Sequence, residues 1–517
     1  MLRPPLFWAT LLVATNFLHA DTSVLPGVVL EIRGKASKSI DYRLERRVAL
    51  RVDKNEPPSA FVDVGPFESV WRGVILLEKR ERINFAFEGF GKASLILDGE
   101  KVLETEGKDL SAVESERLRL NGGEHPFELR YSSAASGLAR FRLFWKGRDF
   151  ARESVPPKSL AHFSTGKPSE LLEKSSTLRQ GHFLTASRGC LRCHLPDDPF
   201  NKKTAMPEVF AMGPSLTGVG SRLNQAWMEQ WILDPQLMRH TARMPKMVHA
   251  PIEASHLAAF LGSLKTEKIE KKVVHGDSKS GGVLFADLGC ISCHALSEND
   301  AVDEDGRISL VGVGHKYLRG NLAAFLLEPD KHYPWIRMPN FRLSKEEAAN
   351  LAAFLQELDS PVLTITASKG DAAKGKLLAS SLGCASCHEL PCENKLIATS
   401  LQQLSTLTGA GCLGEDSKGL QFSFSKEEQS AIGIFLKERD GSLGRHSPSE
   451  FANRQFKELR CVACHERDGK ESLWGAFSRE VSSLKGKGGD IPDALSNPEQ
   501  VYAASRTPPD LSFAGEK

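Results

Sequence analysis

The residues of this chain most able to do chemistry sit in four short runs: "SRGCLRCHLP", "LFADLGCISCHALS", "SLGCASCHEL" and "ELRCVACHER". Each places two cysteines two residues apart with a histidine directly behind the second. A lone Cys-x-x-Cys pair reads as half of a zinc site or as a redox dithiol, but zinc needs a second pair and a dithiol sits at a helix start after a strand. Neither explains a histidine after every second cysteine. Cys-x-x-Cys-His fits covalent attachment of c-type haem, in which two thioethers hold the porphyrin edge and the histidine binds the iron. The prediction is four covalently attached c haems. Their attachment residues are Cys190 and Cys193, Cys290 and Cys293, Cys384 and Cys387, and Cys461 and Cys464, with His194, His294, His388 and His465 as iron ligands.

Of the ten cysteines, only Cys392 and Cys412 fall outside these motifs. An even remainder within one stretch of an exported chain predicts a disulfide; two free thiols are the alternative. Export is read from the start, "MLRPPLFWATLLVATNFLHADTS", where a basic Arg3, an apolar run and Ala20 form a secretory signal over residues 1–20. That run is too short for a good membrane span, and no later segment is long and apolar enough. The expected location is periplasmic or otherwise exported. A net charge of +2 over 517 residues argues against a nucleic-acid partner, and the length predicts several domains.

Positioning elements repeat with the motifs. Each motif ends a helix-like stretch such as "DAAKGKLLASSLGC". Further on, "ARMPKMVHAPIEASHLAAFL" and "IRMPNFRLSKEEAANLAAFL" match at a constant offset of 94 residues, which carries Met244 onto Met338. Ser344 with Glu347 reads as a capping box, and Pro251 takes the first turn of the equivalent helix. Each unit is therefore a helix, a motif, a long loop, a Met-Pro pair and a closing helix whose apolar "LAAFL" face packs back on the haem.

Over residues 172–517 this plan resembles the class I cytochrome c domain, and specifically the short haem modules of planctomycete-type multidomain proteins. The resemblance implies His194 and His294 as proximal ligands with Met244 and Met338 on the distal side, Met247 being a rival to Met244. Histidine–methionine ligation fills both axial sites and raises the reduction potential, which suits electron transfer. The third unit departs from the pattern: aligning Phe435 with Phe354, or Ser425 with Ser344, puts Gly419 where Met338 stands, and no methionine follows Met338. The haem on His388 then needs another sixth ligand or has none. His446 lies beyond the closing helix and is expected to face solvent. In the fourth unit, "RTPPDLSFAGEK" resembles "MGPSLTGVGSR" with Gly515 against Gly220. By that register the sequence stops before a distal ligand and closing helix, as a fragment would, or as a chain that a partner completes.

Ahead of the motifs, residues 24 to about 160 alternate apolar and polar positions in runs such as "GVVLEI" and "ARFRLFW", separated by turns such as "LDGE" and "NGGEH". This predicts an all-β sandwich or barrel. The series "ESVWRGVILL", "INFAFEGFGKASLILDGEKVLE", "RLRLNGGEHPFELRY" and "ARFRLFWKG" resembles a PA14 domain. That resemblance implies a β-sandwich of the kind fused to glycan-active proteins, some of which bind sugar through calcium held by paired aspartates. "FEGFGKAS" holds no such pair. Asp98 reads as a turn former, and Trp71 and Trp145 read as core.

The expected architecture is multidomain: a signal at 1–20, a PA14-like β-sandwich at 24–165, and small all-α cytochrome c domains at 172–266, 277–360, 367–440 and 447–517, the last incomplete. The expected function is electron transfer along the haems, with a redox partner protein and a glycan or cell-surface polymer docked on the sandwich. The alternatives are a peroxidase-like enzyme using an open third haem, or the relay part of a larger oxidoreductase. The 1–517 stretch carries no Ser-His-Asp, zinc-protease or nucleotide-binding signature.

Overall fold

Alternation builds the first part of the chain. In the computed structural model, which describes residues 23–164, 169–266, 274–296, 306–358, 367–404, 411–414, 419–438, 441–473 and 509–512, twelve strands between Ser23 and Ser164 join in an antiparallel sheet. The leader predicted at 1–20 lies outside the described residues. The 17-residue strand Glu81–Leu97 pairs with Ala139–Lys146 through Asn84–Phe90 and with Gly123–Ser132 through Lys92–Leu97. By passing from one ladder to the other it curls the sheet around an aromatic core. Trp71 is fully buried and stacks on Phe141 with ring centres 5.6 Å apart. Trp145 is buried too, so both tryptophans belong to the core. Asp98 takes the hairpin turn at φ 51°, and its carboxylate accepts from His125 Nδ1 at 2.7 Å.

Helices follow. Those of nine residues or more among the described residues are α1 (Glu170–Ser187), α2 (Gln225–Leu233), α3 (Pro251–Ser263), α4 (Ser278–Asp287), α5 (Lys345–Gln356), α6 (Ala372–Ser381), α7 (Lys426–Glu438) and α8 (Pro448–Glu458). The α5 start is capped reciprocally: Ser344 Oγ accepts from Glu347 N (3.2 Å) while the Glu347 carboxylate accepts from Ser344 N (2.7 Å). Ser425 and Glu428 repeat this box at α7, and Pro251 opens α3.

One local contact decides which helices meet. At Gly281 of α4, a Cβ would stand 2.0 Å from Asn350 O and 2.8 Å from Phe354 Cβ of α5, so only glycine lets these backbones cross. The same distances recur where Gly375 of α6 meets His256 O and Phe260 of α3, and where Gly181 of α1 meets Ala431 O and Phe435 of α7. Sequence order pairs α1 with α3 and α6 with α7. The structure pairs α1 with α7 and α6 with α3, so the first and third units exchange their closing helices. Where the exchanged halves meet, Lys246 and Gln421 bond to each other in both directions, at 2.9 and 3.0 Å. These two residues occupy equivalent positions in the register that puts Gly419 against Met244, so the halves face each other across a local pseudo-twofold axis, like a swapped dimer within one chain.

The sheet is fastened to this helical part by buried charge. Arg179 of α1 binds Asp41 of the sheet at 2.7 Å and Glu450 of α8, and Glu450 also takes Arg43 at 3.2 Å. Asp41 is 2% exposed and Glu450 7%. His182, on the same helix, is buried between Phe61 and Phe435 at ring distances of 5.2 and 5.5 Å, and burial pushes its pKa down to about 3. Burial alone would raise the Glu450 pKa, but Arg179 and Arg43 outweigh it and hold it down at about 2, against an ordinary value of 4.5. The carboxylate therefore contributes stability above its unfolded pKa, and that contribution is lost as the pH falls from about 5 toward 2. Arg179→Met takes the cation from buried Asp41 and one of the two cations from buried Glu450, and is expected to cost about 3–5 kcal/mol. Denaturant melts at pH 7 would read this loss, and the gap between wild type and variant should shrink as the pH falls below 4.5.

Candidate cofactor sites

Each motif begins where a helix stops. The residue before the first cysteine is left-handed in all four: Gly189 (φ 73°), Gly289 (67°), Gly383 (73°) and Arg460 (55°). A single tight turn follows at Cys190–Cys193, Cys290–Ser292, Cys384–Ser386 and Cys461–Ala463, leaving the two cysteines one turn apart. Every histidine then makes the same bond. Its Nδ1–H donates to a backbone carbonyl: His194 to Thr399 O (2.8 Å), His294 to Ile308 O (3.2 Å), His388 to Pro214 O (2.8 Å) and His465 to Pro509 O (2.8 Å). A carbonyl only accepts, so the bond fixes the tautomer and leaves Nε2 with its lone pair, the arrangement by which outer-shell bonds orient metal-binding histidines. Burial lowers the His294 pKa to about 4 and lowers that of His388, keeping both rings neutral at physiological pH.

A cavity of about 2600 Å³ runs between the second and third motifs. Its walls include Cys290, His294 and Met338 of the second unit, Cys384, Cys387 and His388 of the third, Met244 and Met247, and Gly189 and Arg192 of the first motif. Trp231 Nε1–H donates to Met244 Sδ at 3.2 Å. The volume exceeds the roughly 300–1,000 Å³ of a pocket for one drug-sized ligand. Two cations of its wall, Lys316 and Arg239, stand half-buried with no carboxylate bonded to them among the described residues. Lys316 lies over Trp227 and Tyr317 at 4.8 and 5.2 Å, and burial, with Arg239 and Arg222 nearby, lowers its pKa to about 8. Arg239 Nε has no hydrogen-bond partner, and burial lowers that guanidinium to about 10. A largely apolar chamber with paired thiols, free imidazole nitrogens and orphaned cations fits haem c, whose propionate carboxylates would satisfy the cations.

Competing uses of the cysteines fit less well. Burial pushes the Cys190, Cys290 and Cys384 thiols up to about 12 and Cys387 to about 11, opposite to the lowered values of redox dithiols. Among the described residues no three His, Cys, Asp or Glu side chains gather in a set that could hold a metal ion, so a four-ligand zinc site is not formed. The motifs also meet in pairs: the Cys193 thiol bonds Ser386 of the third motif and interacts electrostatically with Cys387, and Cys464 of the fourth interacts electrostatically with Cys290 and Cys293 of the second.

Two expectations are corrected. Cys392 and Cys412 are both free thiols. The helix exchange separates them, Cys392 packing with α3 and Cys384, and Cys412 lying beside Cys190 and Cys193. His446 does not simply face solvent: it is half-buried, with its ring edge against Phe451 at 5.5 Å. The sequence reading did not name the carbonyl acceptors or the half-buried cations. A signal for three of the four acceptors was present, because the offset of 94 that carries Met244 onto Met338 also carries Pro214 onto Ile308, and the Gly220–Gly515 register carries Pro214 onto Pro509, while Thr399 falls outside both.

No family model matches the chain, and no curated protein matches it. Solved structures do. An anti-sigma factor domain-containing protein from Clostridium clariflavum is 14% identical over 26% of this chain and 46% of that one, with a TM-score of 0.23. The chain thus spans about half the length of that relative. The PA14 domain of the MpAFP antifreeze protein (10% identity, 27% and 92% coverage, TM-score 0.24) and a PA14 sugar-binding domain from an RTX adhesin (12%, 27% and 99%, 0.23) are also similar. TM-scores this low carry no inference about binding.

The half-buried cations give a direct test. Replacing Lys316 with methionine or Arg239 with leucine removes positive charge beside a group that gains an electron. If the cavity holds a haem, its reduction potential should fall by tens of millivolts, on the scale of the ~59 mV that makes a tenfold change in a one-electron equilibrium. Potentiometric titration would measure it, and an unchanged potential would place the haems away from these residues.

Proposed function

We propose that this chain is an exported c-type cytochrome that carries four covalently attached haems and passes electrons among them. The observation that carries this reading is the histidine geometry: four sequence-distant histidines, each behind a cysteine pair, donate Nδ1–H to a carbonyl and keep Nε2 for a metal. When bound, the haem supplies one-electron iron chemistry at a potential set by its axial ligands and surroundings. The chain's own residues do the rest. The cysteines fix the porphyrin edge, the histidines hold their rings in one orientation, and Met244 and Met338 offer soft sulfur from the cavity wall. Lys316 and Arg239 stand ready for carboxylates, and the apolar walls keep water away. The closeness of Cys193 to Cys387 and of Cys464 to Cys290 supports exchange of electrons between neighbouring haems.

The sandwich is assigned a docking role toward a glycan, a cell-surface polymer or the redox partner. Its buried ion pairs to α1 and α8 support this, since a docked surface would then stay at a fixed distance from the first and fourth motifs. A second reading, peroxide reduction at an iron without a sixth ligand, is favoured by the absence of methionine around Gly419.

Potentiometric titration of the matured protein, followed in the visible spectrum, tests the first reading against the second. Stepwise reversible reduction of low-spin haems, unaffected by added peroxide, is the expected result. Rapid peroxide consumption with a high-spin ferric signal would favour the enzyme.

A further inference from the structure

The haem reading, on which this inference rests, leaves open which methionine serves which iron. Sequence order gives Met244 to the haem on His194. The structure places Met244 elsewhere. The third motif is clamped to the segment just after the first: His388 Nδ1–H donates to Pro214 O (2.8 Å), Gly213 N–H to Cys387 O (2.7 Å) and Leu216 N–H to Glu389 O (3.2 Å). That segment is in turn fixed to α3, because a Cβ on Gly220 would lie 2.3 Å from Gly262 O. Met244 sits just ahead of α3, and α3 crosses the leading helix of the third motif at Gly375. Met244, Cys384, Cys387 and His388 line one cavity, which Cys290, His294 and Met338 share and which Gly189 and Arg192 of the first motif also reach, so the pairing rests on the clamp and the Gly375 crossing.

The first motif closes on the other half. His194 bonds Thr399 O, Leu401 N–H donates to Leu195 O (3.0 Å), Asp197 N–H donates to Gln402 Oε1 (2.9 Å), and α1 crosses α7 at Gly181. The distal segment running into α7 is the one that carries Gly419 in place of methionine.

We propose that Met244 is the axial partner of the iron held by His388, in a metal site assembled from two sequence-distant segments, and that the iron held by His194 is the one without a methionine. The third haem is then a His/Met centre, and any ligand-accepting iron among the first three is the first.

The test uses the full chain matured with c-haem attachment machinery, with haems counted by the pyridine haemochrome assay. The long-wavelength sulfur-to-iron charge-transfer band of ferric His/Met haem is the second readout. Removing the first haem by Cys190→Ala with Cys193→Ala should leave that band intact, whereas Cys384→Ala with Cys387→Ala should reduce it by half, Met338 supplying the remainder. Met244→His keeps every attachment motif and guards against misfolding of the third site. It should halve the band with all four haems present, and do the same when combined with Cys190→Ala and Cys193→Ala. A band halved by losing the first haem, or a Met244→His effect that vanishes in its absence, overturns the pairing and leaves the haem reading standing. A wild-type protein without covalent haem overturns both.

Discussion

The helical part of this protein depends on one kind of contact, the close crossing of a leading helix over a closing helix at a glycine. At Gly181, Gly281 and Gly375 a carbonyl of the partner helix stands where a side chain would begin. The crossing fixes where each motif turns out of its helix, and hence where its cysteines and histidine point. It also brings the segment ahead of the closing helix, with or without a methionine, to the far side of the same chamber. The histidine–carbonyl bond completes the arrangement by fixing the ring. Much of what the site can do follows from these two constraints, one steric and one polar.

Because the crossing is the same in all three cases, it does not encode which helix pairs with which. The closing helices carry phenylalanine at equivalent places, Phe260, Phe354 and Phe435, and any of the three leading glycines fits any of them. In the first and third units the pairing is exchanged, and the isolated β-bridge between Lys246 and Gln421 joins the exchanged halves. Exchange turns two modules into one interlocked body. The buried Asp41–Arg179–Glu450 network then ties that body to the β-sheet, so three regions distant in sequence share one helix, α1.

Local geometry was legible in the sequence and long-range pairing was not. The four motifs, the Met-Pro pairs, the Ser344 capping box, the alternating strands and the buried Trp71 all depend on short-range patterns, which a sequence displays directly. The repeat offset even held three of the four carbonyl acceptors, since Pro214, Ile308 and Pro509 are equivalent positions, though not Thr399. The disulfide expected between Cys392 and Cys412 failed for the same reason as the helix pairing. Both assumed that neighbours in sequence share a unit, and the exchange places these cysteines beside different motifs. Lys316 and Arg239 look like ordinary surface cations in sequence; only the fold sets them in the cavity wall with no carboxylate bonded to them among the described residues.

The most direct measurement is the intact mass of the protein purified from cells equipped for c-haem attachment, followed by peptide mapping of the four motifs. The account predicts a mass raised by four haems, with one on each of the peptides containing Cys190, Cys290, Cys384 and Cys461. A chain at its bare polypeptide mass, or one carrying zinc in place of haem, would contradict it.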